Sequence, residues 1–149
     1  MSIWRRFNHA FPSLLTTNIQ ERRPIFRHEA AAKLLVEVIK DVSAEEPFEL
    51  LAYVVMPDHF HLVAWPQPPV TTGRLMKMIK GRFARQYQAE RGHRGALWQS
   101  RYHEQALQTD EALCQAVEYV HRNPVAAGLA QNPAGYQWSS ARSPLPQSG

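Results

Sequence analysis

Residues 51–66, LAYVVMPDHFHLVAWP, constrain this chain more than any other stretch: two apolar runs flank a Pro-Asp break and read as a β-hairpin. Side chains alternate along the return strand, so His59 and His61 share one face with Val63 and Trp65, while Phe60, Leu62 and Ala64 take the other. One face is expected to feed a core and the other to present two imidazoles. Their Cα atoms would lie about 6 to 7 Å apart, close enough for ring nitrogens to converge on one ion. An H-x-H pair alone is weak evidence, because strand histidines are more often hydrogen-bonded or exposed than metal-bound. A metal reading needs a third ligand from elsewhere in the chain.

The 149 residues fit one domain, 1–149, with enough chain to bury a sizeable core. Cys114 is the single cysteine, which excludes an internal disulfide. No basic segment followed by an apolar run opens the chain and no apolar run approaches the length of a membrane span, so a cytoplasmic protein without a membrane partner is expected. The net charge of +4 is unevenly placed: +4 over residues 1–27, -5 over 28–70, +7 over 71–101 and -2 over 102–149. Segregation of this kind favours a directed polyanionic partner, nucleic acid foremost, over a uniform solubility charge. A solvated basic helix face accounts for the same charges.

Taken in order, SLLTTNI (13–19) reads as a first strand and QERRPIF as a basic turn in which Arg22, Arg23 and Arg27 either touch phosphates or lie free on the surface. HEAAAKLLVEVIK (28–40) is an amphipathic helix with Ala31, Leu34, Leu35, Val38 and Ile39 on its packing side, ended by residues 43–47. After the hairpin, Leu75, Ile79, Phe83 and Tyr87 recur every four residues in a second helix, whose remaining surface carries Arg74, Lys77, Lys80, Arg82 and Arg85. Arg91 and Arg94 follow in a glycine-bounded basic loop. Together these are the natural contacts for a nucleic-acid backbone. LWQSRYHEQAL (97–107) reads as another strand. Thr109 caps a last helix whose core stripe is Leu113, Val117 and Val120, with Asn123-Pro124 as its end.

Tyr119 and Asn123 are four apart on that helix and therefore share a face beside the apolar stripe. A core tyrosine followed by a C-capping asparagine explains the pair without chemistry. A nucleophilic phenol with an amide ligand one turn later explains it with chemistry.

YVVMPDHFHLVAWP, GRLMKMIKGRFARQY, LWQSRYHEQAL, YVHRNPVAAGL and YQWSS, in that order, resemble the IS200-like transposase family and particularly its REP-associated tyrosine branch; the likeness covers about residues 12–141. It implies an α+β, ferredoxin-like antiparallel sheet with packed helices, which the order of elements independently suggests. By resemblance His59, His61 and Asn123 hold Mg²⁺ or Mn²⁺, Tyr119 is the catalytic nucleophile, and Glu104 either is structural or supports the metal ligands from behind. The implied reaction is cleavage and rejoining of single-stranded DNA at hairpin or palindromic repeats through a 5′-phosphotyrosine link, by a monomer or a homodimer. The protein would then be cytoplasmic and associated with the nucleoid when bound to DNA. The competing expectation is a non-catalytic binder of structured single-stranded DNA or RNA that uses the same basic helix.

Overall fold

The computed structural model of the chain describes residues 11–143 and 145. Four strands, β1 (Ser13–Asn18), β2 (Phe48–Met56), β3 (His59–Pro66) and β4 (His103–Ala106), form an antiparallel sheet in the spatial order β2-β3-β1-β4. Helix α1 (Glu29–Glu45) connects β1 to β2, α2 (Thr72–Arg91) connects β3 to β4, and α3 (Asp110–Ala126) follows β4. This is the expected ferredoxin-like arrangement with one helix added.

Alternation along the strands separates two apolar layers. Leu15, Tyr53, Val55, Phe60 and Leu62 face α1 and α2, where they meet Leu35, Ile39, Leu75, Ile79 and Phe83. Ala52, Val54, Met56 and Val63 face the other way and meet Leu113, Ala116 and Val120 of α3. β3 is thus buried on both faces from Phe60 to Pro66. The histidine face of the hairpin is not an open polar surface, as alternation alone suggests; α3 closes it beyond His61, because Val54 and Val63 on that face also need cover.

Element boundaries follow local chemistry. Thr71 accepts from the Arg74 amide and starts α2; Gly92, at φ 66°, ends it in the left-handed conformation that glycine adopts without penalty. Thr109 accepts from the Ala112 amide at the start of α3. Helix α1 ends at Glu45, inside the expected 43–47 terminus, with Val42 still packing inward. Two expectations are corrected. Asn123-Pro124 does not end α3: the Ala127 amide reaches Asn123 O and closes the last turn beyond the proline. The strand expected over 97–107 is regular only over His103–Ala106; Trp98 instead makes a single bridge to Ile19 and packs its indole against Phe26, Phe60 and Phe83.

The outer edge of β2 would be an open hydrogen-bonding template, and the segment after α3 covers it. Val55 N donates to Trp138 O, Ser140 N donates to Tyr53 O, and the Tyr136 hydroxyl donates to Val55 O at 2.7 Å. Burial pushes the Tyr136 phenol up to about 12, so it remains a donor. Replacing Tyr136 by phenylalanine keeps the ring but removes that donor, and should lower stability by about 1 to 2 kcal/mol. Urea unfolding of the two proteins measures this; equal midpoints would mean that the edge is held by the backbone bonds alone.

Candidate active site

The β2–β3 hairpin turns through only Pro57 and Asp58, and both carbonyls are tied to the chain's first segment: Phe26 N donates to Pro57 O and Ile19 N to Asp58 O. The turn therefore has a fixed position against the basic loop of residues 20–27. Asp58 Oδ1 accepts from His59 Nδ1 at 2.6 Å, while Oδ2 accepts from Arg22 Nε at 2.9 Å. Burial alone would raise the Asp58 pKa, but the bonds from His59 and Arg22 outweigh it and hold the carboxyl below its usual range. A carboxylate on Nδ1 fixes the tautomer of His59 and leaves its Nε2 lone pair exposed to the site.

His61 lies one row further along the sheet, paired across to Thr16 of β1. Its Nδ1 is 2.7 Å from Thr16 Oγ1, and its buried Nε2 has no hydrogen-bond partner among the described residues. With Nδ1 donating to the threonine, Nε2 carries a bare lone pair. Burial, aided by repulsion from His59, lowers the His61 pKa from 6.5 to about 3, so the ring is neutral at physiological pH. Neutral imidazole is the form that binds a metal. The two rings meet edge to face with centroids 4.8 Å apart.

Tyr119 reaches this pair from α3. Its ring centroid is 5.4 Å from that of His61, yet the residue is 50% exposed and its hydroxyl makes no hydrogen bond among the described residues. On one side of it, Leu14, Thr16, Gln105, Leu107 and Gln115 line a cleft of about 460 Å³. On the far side of the histidines, a second cleft of about 390 Å³ is walled by Arg22, Arg27, Asp58, His59 and Leu129. The first cleft is also lined by Tyr119 and the second by His59, so the phenol opens on one and an imidazole on the other.

The structure thus brings His59, His61 and Tyr119 together within one chain. Asn123 is not joined to them: it lies one turn on, lining a shallow groove with Glu118, Tyr119 and Arg122, and its side chain bonds neither imidazole. Among the described residues no three His, Cys, Asp or Glu side chains cluster to hold a metal. The orphaned His61 Nε2 and the oriented His59 nevertheless fit two ligands of a divalent ion. Glu104 faces away from the site, since it pairs with Leu15; its oxygens accept from Ser13 Oγ and Thr72 Oγ1, bracing β4 against β1 and the start of α2.

The basic residues fall into two groups. Arg74 and Arg82 are paired with Glu46 and Glu45 at the end of α1, and Lys80 donates to Gln99 O. Arg23 donates to Gln20 O and Ala96 O. Lys77, Arg85, Arg91 and Arg94 are exposed without such partners among the described residues. Sequence reasoning missed Asp58 and Thr16. Asp58 was signalled by its place directly before the first histidine; Thr16 had no signal, because only strand register brings it to His61.

The "Transposase IS200 like" family model matches residues 13–123. A REP-associated tyrosine transposase of Escherichia coli (strain K12) is 27% identical over 84% of this chain and 73% of its own length. A Haemophilus influenzae protein assigned to the same type is 26% identical over 68% of this chain, and the match spans 63% of that relative's length, less than two thirds. A solved REP-associated tyrosine transposase bound to a REP hairpin superposes with a TM-score of 0.75 at 26% identity, covering 100% of this chain and 92% of the other.

Because the Tyr119 hydroxyl bonds to nothing among the described residues and half the residue is in solvent, the described fold does not depend on its oxygen. Tyr119→Phe should shift unfolding stability by less than about 0.5 kcal/mol. A larger loss in chemical denaturation would assign the phenol a structural role instead.

Proposed function

The chain belongs to the IS200-like transposase family, and from that premise we propose that it is a REP-type tyrosine transposase that cuts and rejoins single-stranded DNA at hairpin-forming repeats. The observation that carries this reading is Tyr119: a solvent-facing phenol whose hydroxyl has no hydrogen-bond partner among the described residues, set against His61, whose buried Nε2 has none among them either. A water-using phosphodiesterase needs the histidines but has no use for the tyrosine. A passive binder has no use for either.

In the proposed reaction the Tyr119 oxygen attacks a backbone phosphorus, the bond to the 3′ oxygen breaks, and a 5′-phosphotyrosine and a free 3′-hydroxyl result. The phenolic proton is lost on attack and the departing 3′ oxygen gains one, so rejoining is the same exchange reversed. A divalent ion, Mg²⁺ or Mn²⁺, held by His59 and His61 with Asn123 as the third ligand once its side chain turns inward, would supply charge stabilisation at the phosphoryl oxygens. Asp58 and Thr16 hold the two rings by their Nδ1 atoms and leave each Nε2 for a ligand, which lowers the reorganisation that binding requires. The exposed Lys77, Arg85, Arg91 and Arg94 offer backbone contacts for the folded part of the DNA. Since α3 brings Tyr119 to the histidines of its own chain, one copy carries the constellation. Such an enzyme would work in the cytoplasm, on the nucleoid.

The experiment is adduct trapping. Purified protein with Mn²⁺ and labelled single-stranded DNA containing the inverted repeats that flank its gene should give a denaturation-resistant protein-DNA species. Tyr119→Phe should bind the DNA and form none. Mass spectrometry of the tryptic peptide spanning residues 102–122, which holds Tyr102 and Tyr119, should place the nucleotide on Tyr119. A label on Tyr102, or an undiminished adduct from the variant, would sink the assignment.

The metal part has its own check. Calorimetric titration with Mn²⁺ should show binding that largely vanishes in the His59→Ala/His61→Ala double variant and weakens about tenfold or more in Asp58→Asn, whose amide no longer holds His59 as a carboxylate does. Unchanged affinity in the folded double variant would remove the histidines as ligands.

A further inference from the structure

The cleft beyond His59 has a build that the nucleophile and the metal ligands do not explain. Glu21 and Arg22 both have left-handed backbone conformations, φ 59° and 53°, although neither is glycine. Two such residues in succession are strained and persist only where their surroundings impose them. The consequence is the aim of Arg22. Its Nε is spent on Asp58, while neither Nη group has a partner among the described residues and the side chain is 53% exposed. Arg27, also exposed and unpaired among the described residues, stands on the same wall. Asp58 brings the one negative charge; its two oxygens are already occupied by His59 and Arg22. The cleft is therefore net positive. Met56, Pro57 and Leu129 give it an apolar floor.

We propose that this cleft is a phosphodiester subsite, in which the Nη groups of Arg22 and the Arg27 guanidinium hold a backbone phosphate of single-stranded DNA next to the linkage that Tyr119 attacks. The sugar of that nucleotide lies on the Met56, Pro57 and Leu129 floor. Guanidinium groups suit this task because their planar forks match phosphate oxygens two at a time. Arg22 is also a positioning residue, since the carboxylate that it grips is the one that orients His59. DNA seated on Arg22 is thereby mechanically linked to the imidazole.

This inference rests on the DNA reading above, so its test uses binding rather than cleavage. Tyr119→Phe, without added metal, is titrated by fluorescence anisotropy with a labelled single-stranded oligonucleotide carrying the gene's inverted repeats and its flanking tail. One linkage at a time in the tail is made a neutral methylphosphonate. Neutralising one linkage should weaken binding about tenfold. That penalty should collapse to under threefold when Arg22→Gln or Arg27→Gln is added, while penalties at linkages held elsewhere persist. A brace role for Arg22 would lower stability but leave the phosphate-specific penalty intact. Arg27→Gln, which breaks no side-chain bond among the described residues, keeps the test open should Arg22→Gln fold poorly. No single-linkage penalty, or one that survives in both variants, overturns the proposal. A missing covalent adduct from the parent protein is a separate result that bears on Tyr119 alone.

Discussion

Burial of β3 on both faces is the constraint from which the rest of this structure follows. A strand flanked by β2 and β1, with apolar side chains alternating to either side, cannot be satisfied by one layer of helices. Helices α1 and α2 cover the face that carries Phe60 and Leu62; α3 must cover the face that carries Val63. That requirement sets α3 across β2 and β3 and brings Tyr119 beside His61. The proposed catalytic contact and the core packing come from the same turn of helix: Val120 is fully buried while its neighbour Tyr119 is half in solvent.

Placing two imidazoles at the margin of an apolar layer creates an electrostatic demand. A protonated ring at His61 would be a desolvated charge beside a second ring, and burial keeps it neutral instead. Thr16 and Asp58 each occupy an Nδ1, so each ring keeps its Nε2 for another partner. Leaving His61 Nε2 buried without a partner costs free energy, of the order of 1 to 3 kcal/mol for a polar group. Such a group persists where function requires it. Arg22 completes the arrangement by holding Asp58 ionised, at the expense of strained backbone in its own turn.

Much of this was legible in the sequence because it depends on local periodicity. The alternation of LAYVVMPDHFHLVAWP placed both histidines on one face, the four-residue spacing in α2 found its packing side, and Thr109 marked the start of α3. Features set by pairs distant in the chain were not legible. Nothing in the α2 sequence shows that Arg74 and Arg82 face Glu46 and Glu45 of α1, so a cylinder that looked uniformly basic is partly neutralised. Thr16 reaches His61 only through strand register, and Glu104 braces β4 through Ser13 and Thr72. The strand expected over 97–107 failed for a related reason: the large Trp98 ring fills the gap between Phe26, Phe60 and Phe83, and the chain bends to deliver it.

Two-sided covering also separates the basic helix from the chemistry. Helix α2 packs on the Phe60 face of the sheet, whereas His61 and Tyr119 belong to the α3 face. No straight strand touches Lys77 and Tyr119 together. DNA that contacts both must pass around an edge of the sheet or over one end. The β2 edge is closed by the 136–140 segment, which hydrogen-bonds along it. The β4 edge is short and exposed over all four residues, and Gln105 there opens directly into the cleft beside Tyr119. A nucleic acid that folds back on itself meets this geometry better than an extended one does, since its folded part can lie against α2 while a single-stranded tail turns the β4 edge toward the histidines. The division of the three helices between the two faces is thus the physical ground on which the proposed hairpin substrate rests.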